Sequence, residues 1–521
     1  MASEVGSPPF CSIFCQDVPE TRRWALPYAI GVDVGTTNTK VVLCELPSCE
    51  PVLTERFPSP MHRFGDKADY EVHELVSKVL EGLSACAVRL GARASEVELV
   101  SVASVGESGV LVYPDDSFSP RSIAWYDKRG GSFSRSALAS GYARDLYRIT
   151  GVPTHSASSL FKLLWMRDAG ATLEGATWLT MADFIAWVLC GEKGQDRTLA
   201  SRTSAYDVRQ DCVSKEILDH YGLPHGVFAK LVDSGSPRGC LLERVCEGTG
   251  LPDTCRVCVS GHDHMSGAFA CEIRTSSELL NSTGTSEGLL RLSDDYGETP
   301  SDGCQVTRGR YVDGRTFTSY ASLPTAGLSF DWALRALGMD RDSFFEKGQE
   351  EVFEGYLKER YKDSKLLFIP HLRGSGPPHR SVDARANLYG LRDETPTDEV
   401  LFAVFSGVCF EFASLFDSVV GPSGAKGLEC VKVIGPAVRN PLWMQLKADL
   451  IGVPFVSCEV EDAVARGSVL VSATKCGLAA KLEYSTHRFL PSAERSARLL
   501  ERYEREYLPL VHLIEDFESA S

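Results

Sequence analysis

Tyr28-Ala29-Ile30-Gly31-Val32-Asp33-Val34-Gly35-Thr36-Thr37-Asn38-Thr39-Lys40 runs straight into Val41-Val42-Leu43-Cys44, so two β-like runs flank one Gly-Thr-Thr-Asn-Thr turn. That pattern predicts a hairpin rather than a strand-loop-helix unit. A glycine followed by hydroxyl residues in a tight hairpin aims backbone N–H and side-chain O–H groups at a phosphate. Gly35, Thr36, Thr37 and Asn38 are therefore candidate phosphate ligands, and Lys40 adds a point charge. Asp33, at the end of the first run, is placed to hold Mg²⁺ through water. An ordinary glycine-turned hairpin has the same outline, but the Asp-x-Gly-Thr-Thr order favours a phosphate. No GxxxxGK followed by Ser or Thr occurs in the chain, which disfavours a P-loop enzyme.

The same logic returns far downstream. Leu279-Leu280-Asn281-Ser282-Thr283-Gly284-Thr285-Ser286-Glu287 again joins two β-like runs through a Gly/Thr turn, making Gly284, Thr285 and Ser286 a second phosphate loop. Such an echo suits a duplicated, two-domain ATPase with nucleotide in the intervening cleft. It also makes Asn281 a buried strand end rather than a glycan acceptor. Between the hairpins lies Val259-Ser260-Gly261-His262-Asp263-His264-Met265-Ser266-Gly267, which puts one carboxylate between two imidazoles after an apolar run. A carboxylate at a strand end that opens into a cleft is placed to take a proton from a hydroxyl. The same string also reads as a turn with an N-cap aspartate or as metal ligands.

At 521 residues the chain exceeds what one hydrophobic core usually serves, so two domains are expected. Apolar and charged fractions of 43% and 24% are those of a globular protein. A net charge of −16 argues against a nucleic-acid or anionic-membrane partner, so any phosphate site must be local. No apolar run is expected to approach the roughly 18 residues of a membrane helix. The 17 cysteines are scattered, with Cys255 and Cys258 the only CxxC, which fits reduced thiols better than a disulfide framework. Residues 1–27 read as a disordered extension lacking the basic start and apolar core of a secretory signal, and a cytoplasmic protein is expected. The oligomeric state is not legible; a homodimer is one option.

Further segments read physically as follows. Apolar residues at helical spacing make 71–90 a surface helix, and 97–105 is a strand leading to Glu107. In Ile123-Ala124-Trp125-Tyr126-Asp127-Lys128-Arg129 the Trp125 face can stack on the apolar side of a ring while Asp127 accepts from hydroxyls, or else Trp125 is buried with an Asp–Arg pair on the rim. Phe161, Leu164, Trp165 and Asp168 share one helical face, which core packing explains. Residues 178–189 read as one buried helix, and 400–416 as a core helix. Val431 to Gln445 is a strand, a Gly435 loop and a helix capped by Asn440, an adenosine platform.

Together the hairpins, the Gly-x-Asp centre and these segments resemble the FGGY carbohydrate kinases of the actin/ribonuclease H-like ATPase superfamily, from about Tyr28 to about Leu478. The resemblance implies an α/β fold of two actin-like domains, residues 28–270 and 271–521, with ATP and Mg²⁺ in the cleft and a sugar or polyol beneath. It implies that Asp263 is the catalytic base, that Gly435 and Asn440 border the nucleotide, and that Glu107, Trp125, Asp127, His262, Asp263 and His264 face the substrate. Departures are Glu107 where Gln is frequent, the histidines around Asp263, and Ser375 and Gly376 in place of a Glu-Arg pair. Pro436 and Ala437 replace glycines of the adenosine loop, and proline removes an N–H donor. These departures keep two alternatives open, a non-kinase actin-like ATPase and a catalytically impaired nucleotide-binding protein.

Overall fold

Every residue of Tyr28–Val34 (β1) is buried, as a central strand covered on both faces requires. The structure, a computed structural model, describes residues 27–297, 305–421 and 424–520, so the expected extension lies outside the described residues except for Pro27. β1 pairs antiparallel with β2 (Asn38–Glu45), which pairs antiparallel with β3 (Glu50–Pro58). On its other side β1 runs parallel to β4 (Val97–Ser104), itself parallel to β5 (Arg256–His262). The order is β3-β2-β1-β4-β5, edged by Pro237–Cys240.

The second half repeats this arrangement with β6 (Glu278–Thr283), β7 (Glu287–Ser293), β8 (Phe317–Leu323), β9 (Cys430–Ile434) and β10 (Phe455–Cys458). They stand in the order β8-β7-β6-β9-β10, again three antiparallel strands and then two parallel ones. Both expected hairpins are present, β1-β2 and β6-β7.

Alternation along β1 decides what each face meets. Ile30, Val32 and Val34 join a core with the helices Val72–Leu90 and Met181–Cys190. Ala29 faces the other way, onto Ala465, Val469 and Leu470 of the helix Ala463–Lys475, which comes from the second half of the chain. Gly31 is on that face too, and a Cβ there would stand 2.1 Å from the Ala465 carbonyl oxygen. The Ala463 helix is also tied down by Ser101, whose Oγ donates to the Ser468 carbonyl at 2.8 Å and lies 2.7 Å from Ser472 Oγ. Alongside it runs the helix Asp263–Ala270, close enough that a Cβ on Gly467 would meet the Ser266 carbonyl at 2.2 Å.

Three expectations need correction. The helix Thr397–Val420 does have the length and mean hydropathy of a membrane span, but 83% of its apolar window is buried inside the protein, where it forms the middle of the second-half core. Residues 178–189 are not one helix: Thr177–Thr180 is a strand paired with Gly109–Val112, and the helix begins at Met181. Thr180 ends that strand by taking the N-cap position, with its hydroxyl 2.5 Å from the Asp183 carboxylate. In the helix Ser159–Asp168 the buried face is Leu160, Phe161, Leu163 and Leu164, while Trp165 is half-buried and Asp168 exposed. Asn281, as expected, is a buried strand residue; its amide donates to the Gly288 carbonyl, and its oxygen accepts from Lys447, which also pairs with Glu287.

Gly31→Ala should cost on the order of 1–3 kcal/mol, the usual range for overpacking, read as a lower urea midpoint. Gly248, in a helix with open space around it, is the control: Gly248→Ala should unfold no earlier than wild type.

Candidate active site

β5 delivers the central carboxylate. Its last residues close on Thr198, whose hydroxyl accepts the His262 N–H at 2.8 Å, and the chain then turns into the helix that starts at Asp263. Asp263 Oδ1 accepts the His264 N–H at 2.6 Å and lies 3.3 Å from His262 Nε2. Burial holds both imidazoles neutral, His264 at about 4 and His262 well below its ordinary range, with the Arg202 charge acting in the same direction. A neutral ring has one N–H. His264 can thus donate on one side and accept on the other, between Ser282 Oγ at 3.1 Å and Tyr320 OH at 3.0 Å. Ser282 is on β6 and Tyr320 on β8, so the second half of the chain holds the imidazole next to Asp263.

Burial pushes the Asp263 carboxyl up to about 7 from an ordinary 3.8, with Glu107 reinforcing the shift. Asp33 behaves alike: burial raises it to about 7, Lys40 opposes, and Asp263 adds to the rise. Asp33 therefore senses the Asp263 charge, the two carboxylates standing at strand ends of the same sheet. Lys40 itself pairs with Asp462 at 3.1 Å, at the start of the Ala463 helix, where Arg56 and Thr54 also converge. Among the described residues no hydrogen bond or ion pair engages the Asp33 carboxylate directly. A buried carboxylate in that condition fits a cation. No group of three or more metal-ligating side chains surrounds it among the described residues, so most ligands would be phosphate oxygens and water.

Each turn is braced toward this centre. The Gly35 N–H closes the first turn on the Asn38 carbonyl at 3.2 Å, leaving Thr37 exposed at the tip. Thr36 Oγ1 accepts from Trp125 Nε1 at 2.8 Å, linking the first turn to the half-exposed indole. In the second turn the Gly284 N–H meets the Ser286 carbonyl, and Thr285 and Ser286 are exposed. Gly435 has φ +92°, and a Cβ there would meet the Thr283 carbonyl at 2.0 Å. Thr283 Oγ1 donates to the Ile434 carbonyl and accepts the Ala437 N–H, so the loop after β9 is fastened to the end of β6. Asn440 caps the following helix by accepting the Trp443 N–H at 2.9 Å. The Ala437 methyl is buried in the core while Pro436 is exposed, so Pro436 alone alters the loop surface.

Two sequence candidates are otherwise engaged. Asp127 is enclosed: its oxygens accept the Ala68 N–H at 2.8 Å and the Arg129 N–H and Nε at 2.8 and 2.9 Å. Glu107, buried at φ +59°, pairs with Arg202. Sequence reasoning gave no role to Tyr320, Ser282, Lys162 or Asp462. Arg202 left a signal, because Ser201-Arg202-Thr203-Ser204-Ala205-Tyr206-Asp207 resembles the FGGY small-residue loop beside the substrate. Lys162, fully buried, donates to the Glu107 carbonyl at 3.1 Å, and burial lowers it to about 7.

Duplicated sheets and paired Gly-Thr turns around one carboxylate define an actin-like, ribonuclease H-like two-domain ATPase fold. Residues 28–270 and 279–476 match the N-terminal and C-terminal domains of the FGGY family of carbohydrate kinases, and the chain belongs to that family. It is thus a phosphotransferase with an alcohol group as acceptor, and ATP is the phosphate donor. Xylulose kinase of Bacillus subtilis is 24% identical over 473 residues, covering 90% of this chain and 92% of that protein. Glycerol kinase of the same organism is 22% identical over 472 residues, covering 86% and 90%. The crystal structure of gluconate kinase from Lactobacillus acidophilus superposes with a TM-score of 0.84 at 19% identity, covering 95% of this chain and all of that one.

A carboxyl raised from 3.8 to about 7 by burial destabilises the fold as it ionises, so stability falls as pH rises from about 4 to about 7. Without nucleotide or metal, Asp33→Asn should therefore melt higher than wild type at about pH 8, by the equivalent of a few kcal/mol. Near pH 4 the two should converge. Equal melting temperatures at the higher pH would contradict the shift.

Proposed function

We propose that the protein transfers the γ-phosphate of ATP to a hydroxyl of a small sugar or polyol, with Asp263 as the general base. The observation that carries this reading is the position of the Asp263 carboxylate. It sits at a helix start beside His264, which Ser282 of β6 and Tyr320 of β8 hold from the second half, with one backbone N–H as its close donor and the capacity to accept a proton. Relatives named for xylulose, glycerol and gluconate differ in acceptor and support the class of substrate alone.

Phosphoryl transfer needs mainly positioning and charge stabilisation. In this reading Gly35, Thr36, Thr37 and Asn38 hold phosphate oxygens from one side and Gly284, Thr285 and Ser286 from the other. Lys40 and its partner Asp462 fix the first hairpin against the Ala463 helix. Gly435 and Asn440 shape the nucleoside end. Asp33 would hold Mg²⁺ through water, and the ion would neutralise phosphate charge when bound. Trp125 offers its indole face to the acceptor, with Thr36 setting its angle. Glu107 reaches the acceptor side as an ion pair with Arg202, and Asp127 acts by holding Arg129 and the Ala68 backbone in place. His262 and His264 keep the Asp263 carboxylate aimed. Closure of the lobes excludes water from the transferred phosphate.

Asp263→Asn should keep most acceptor binding yet lose transfer by roughly 10² or more; near-normal turnover would refute the assignment. Because burial holds Asp263 near 7, kcat/KM should rise with pH through about 7, not near 4. With Asp33 titrating in the same range, the acid limb should be steeper than one proton requires. A profile flat down to about pH 5 would go against a raised base.

A further inference from the structure

The CxxC at Cys255 and Cys258 is not a dithiol pair. An odd separation on an extended chain sends the two thiols to opposite sides. Cys255 is buried in the core under the first sheet. Cys258, on β5, instead meets Cys476, just past the end of the Ala463 helix, with the sulfurs 3.9 Å apart. Closing that gap to a bond near 2.05 Å asks for about an ångström of movement from each sulfur. Cys258 is fully buried and Cys476 only partly so, so one thiol can meet a solvent oxidant while the other waits beside it.

Nearby groups favour that order of events. The Cys258 thiol donating to the Cys476 sulfur stabilises the Cys476 thiolate. Arg256, which donates to the Cys476 carbonyl at 3.4 Å, adds positive charge, offset in part by Glu98, its ion-pair partner at 3.2 Å. A thiolate that is reachable and next to a second thiol is the usual setting of a redox-sensitive cysteine. A second contact, between the Cys271 and Cys458 thiols, has the same chemistry but no exposed member, since both are buried. It serves as an internal control.

The geometry points to Cys258 and Cys476 as a reversible redox pair whose disulfide staples the Ala463 helix to β5 and slows turnover. With a hydroperoxide as oxidant, the Cys476 thiolate attacks the peroxide O–O bond, giving a sulfenic acid and expelling hydroxide. The Cys258 sulfur then attacks the sulfenic sulfur and releases hydroxide, which the Cys258 proton turns into water. Two thiols and one hydrogen peroxide thus yield one disulfide and two waters, and a dithiol reductant reverses it. Cys258 stands five positions before Asp263 on the same strand-to-helix unit. The staple would therefore fix that unit against the helix next to which it must adjust as the lobes close.

The test uses the full-length protein, with hydrogen peroxide as the probe and N-ethylmaleimide as the quench. Tryptic mapping should find the peptide 257–274 joined to the peptide 476–481, lighter by two hydrogens, with fragmentation placing the link on Cys258. Turnover should fall several-fold and return with dithiothreitol, whereas Cys476→Ser should keep basal activity and resist peroxide. Three results would each overturn the proposal: Cys476 oxidised without a cross-link, a Cys271–Cys458 link formed first, or a full cross-link with unchanged turnover. The mapping needs no activity, so its outcome is independent of the role given to Asp263.

Discussion

Between Gly31 and Gly467 the two halves of the chain meet backbone to backbone. The Ala465 carbonyl lies where a side chain on Gly31 would go, and the Ser266 carbonyl lies where one on Gly467 would go. This close approach sets the Ala463 helix against both β1 and the Asp263 helix. Everything at the site is measured from it. β1 carries Asp33 on the same face as Gly31, the Asp263 helix carries the proposed base, and the Ala463 helix begins at Asp462, the partner of Lys40. Larger residues at these two positions would separate the carboxylates from the loops they serve.

That placement has an electrostatic cost. Two carboxylates are withdrawn from water, and the proton affinity of Asp33 rises further beside Asp263 and that of Asp263 beside Glu107. Natural proteins keep such strained groups where chemistry needs them. The neighbouring polar groups limit the damage without cancelling it. His262 and His264 stay neutral, so they orient Asp263 without pairing with it as ions, and Arg202 is already committed to Glu107. The proposed base is thereby left basic enough to take a proton near neutral pH.

Much of this was legible in the sequence wherever the signal is local. Both hairpins were readable because an Asp-x-Gly-Thr-Thr turn and its echo state their own geometry. Asp263 was readable because a strand-to-helix junction is a short string. Tyr320 was not, because it meets His264 from the other half of the chain, and the pairing of Arg202 with a glutamate 95 positions away within the first half is equally non-local. Glu107 read as a free ligand since its distant arginine partner could not be assigned from spacing, whereas the pairing of Asp127 with Arg129, two residues on, was one of the two readings the sequence left open. The start of the helix at Met181 was hidden in a continuous apolar run, which periodicity cannot divide; its strand partner Gly109–Val112 decides the matter. The Thr397–Val420 helix shows the converse, a membrane-like composition that only the surrounding core explains.

The chemistry assigned to the cleft is tested most directly by ADP formation from ATP with each of a panel of sugars, ketoses and polyols, together with the phosphorylated acceptor. ADP that appears only with a particular acceptor, matched one to one by its phosphate ester, is the predicted result. ADP released at one rate with or without every acceptor would make water the attacking group and contradict the account.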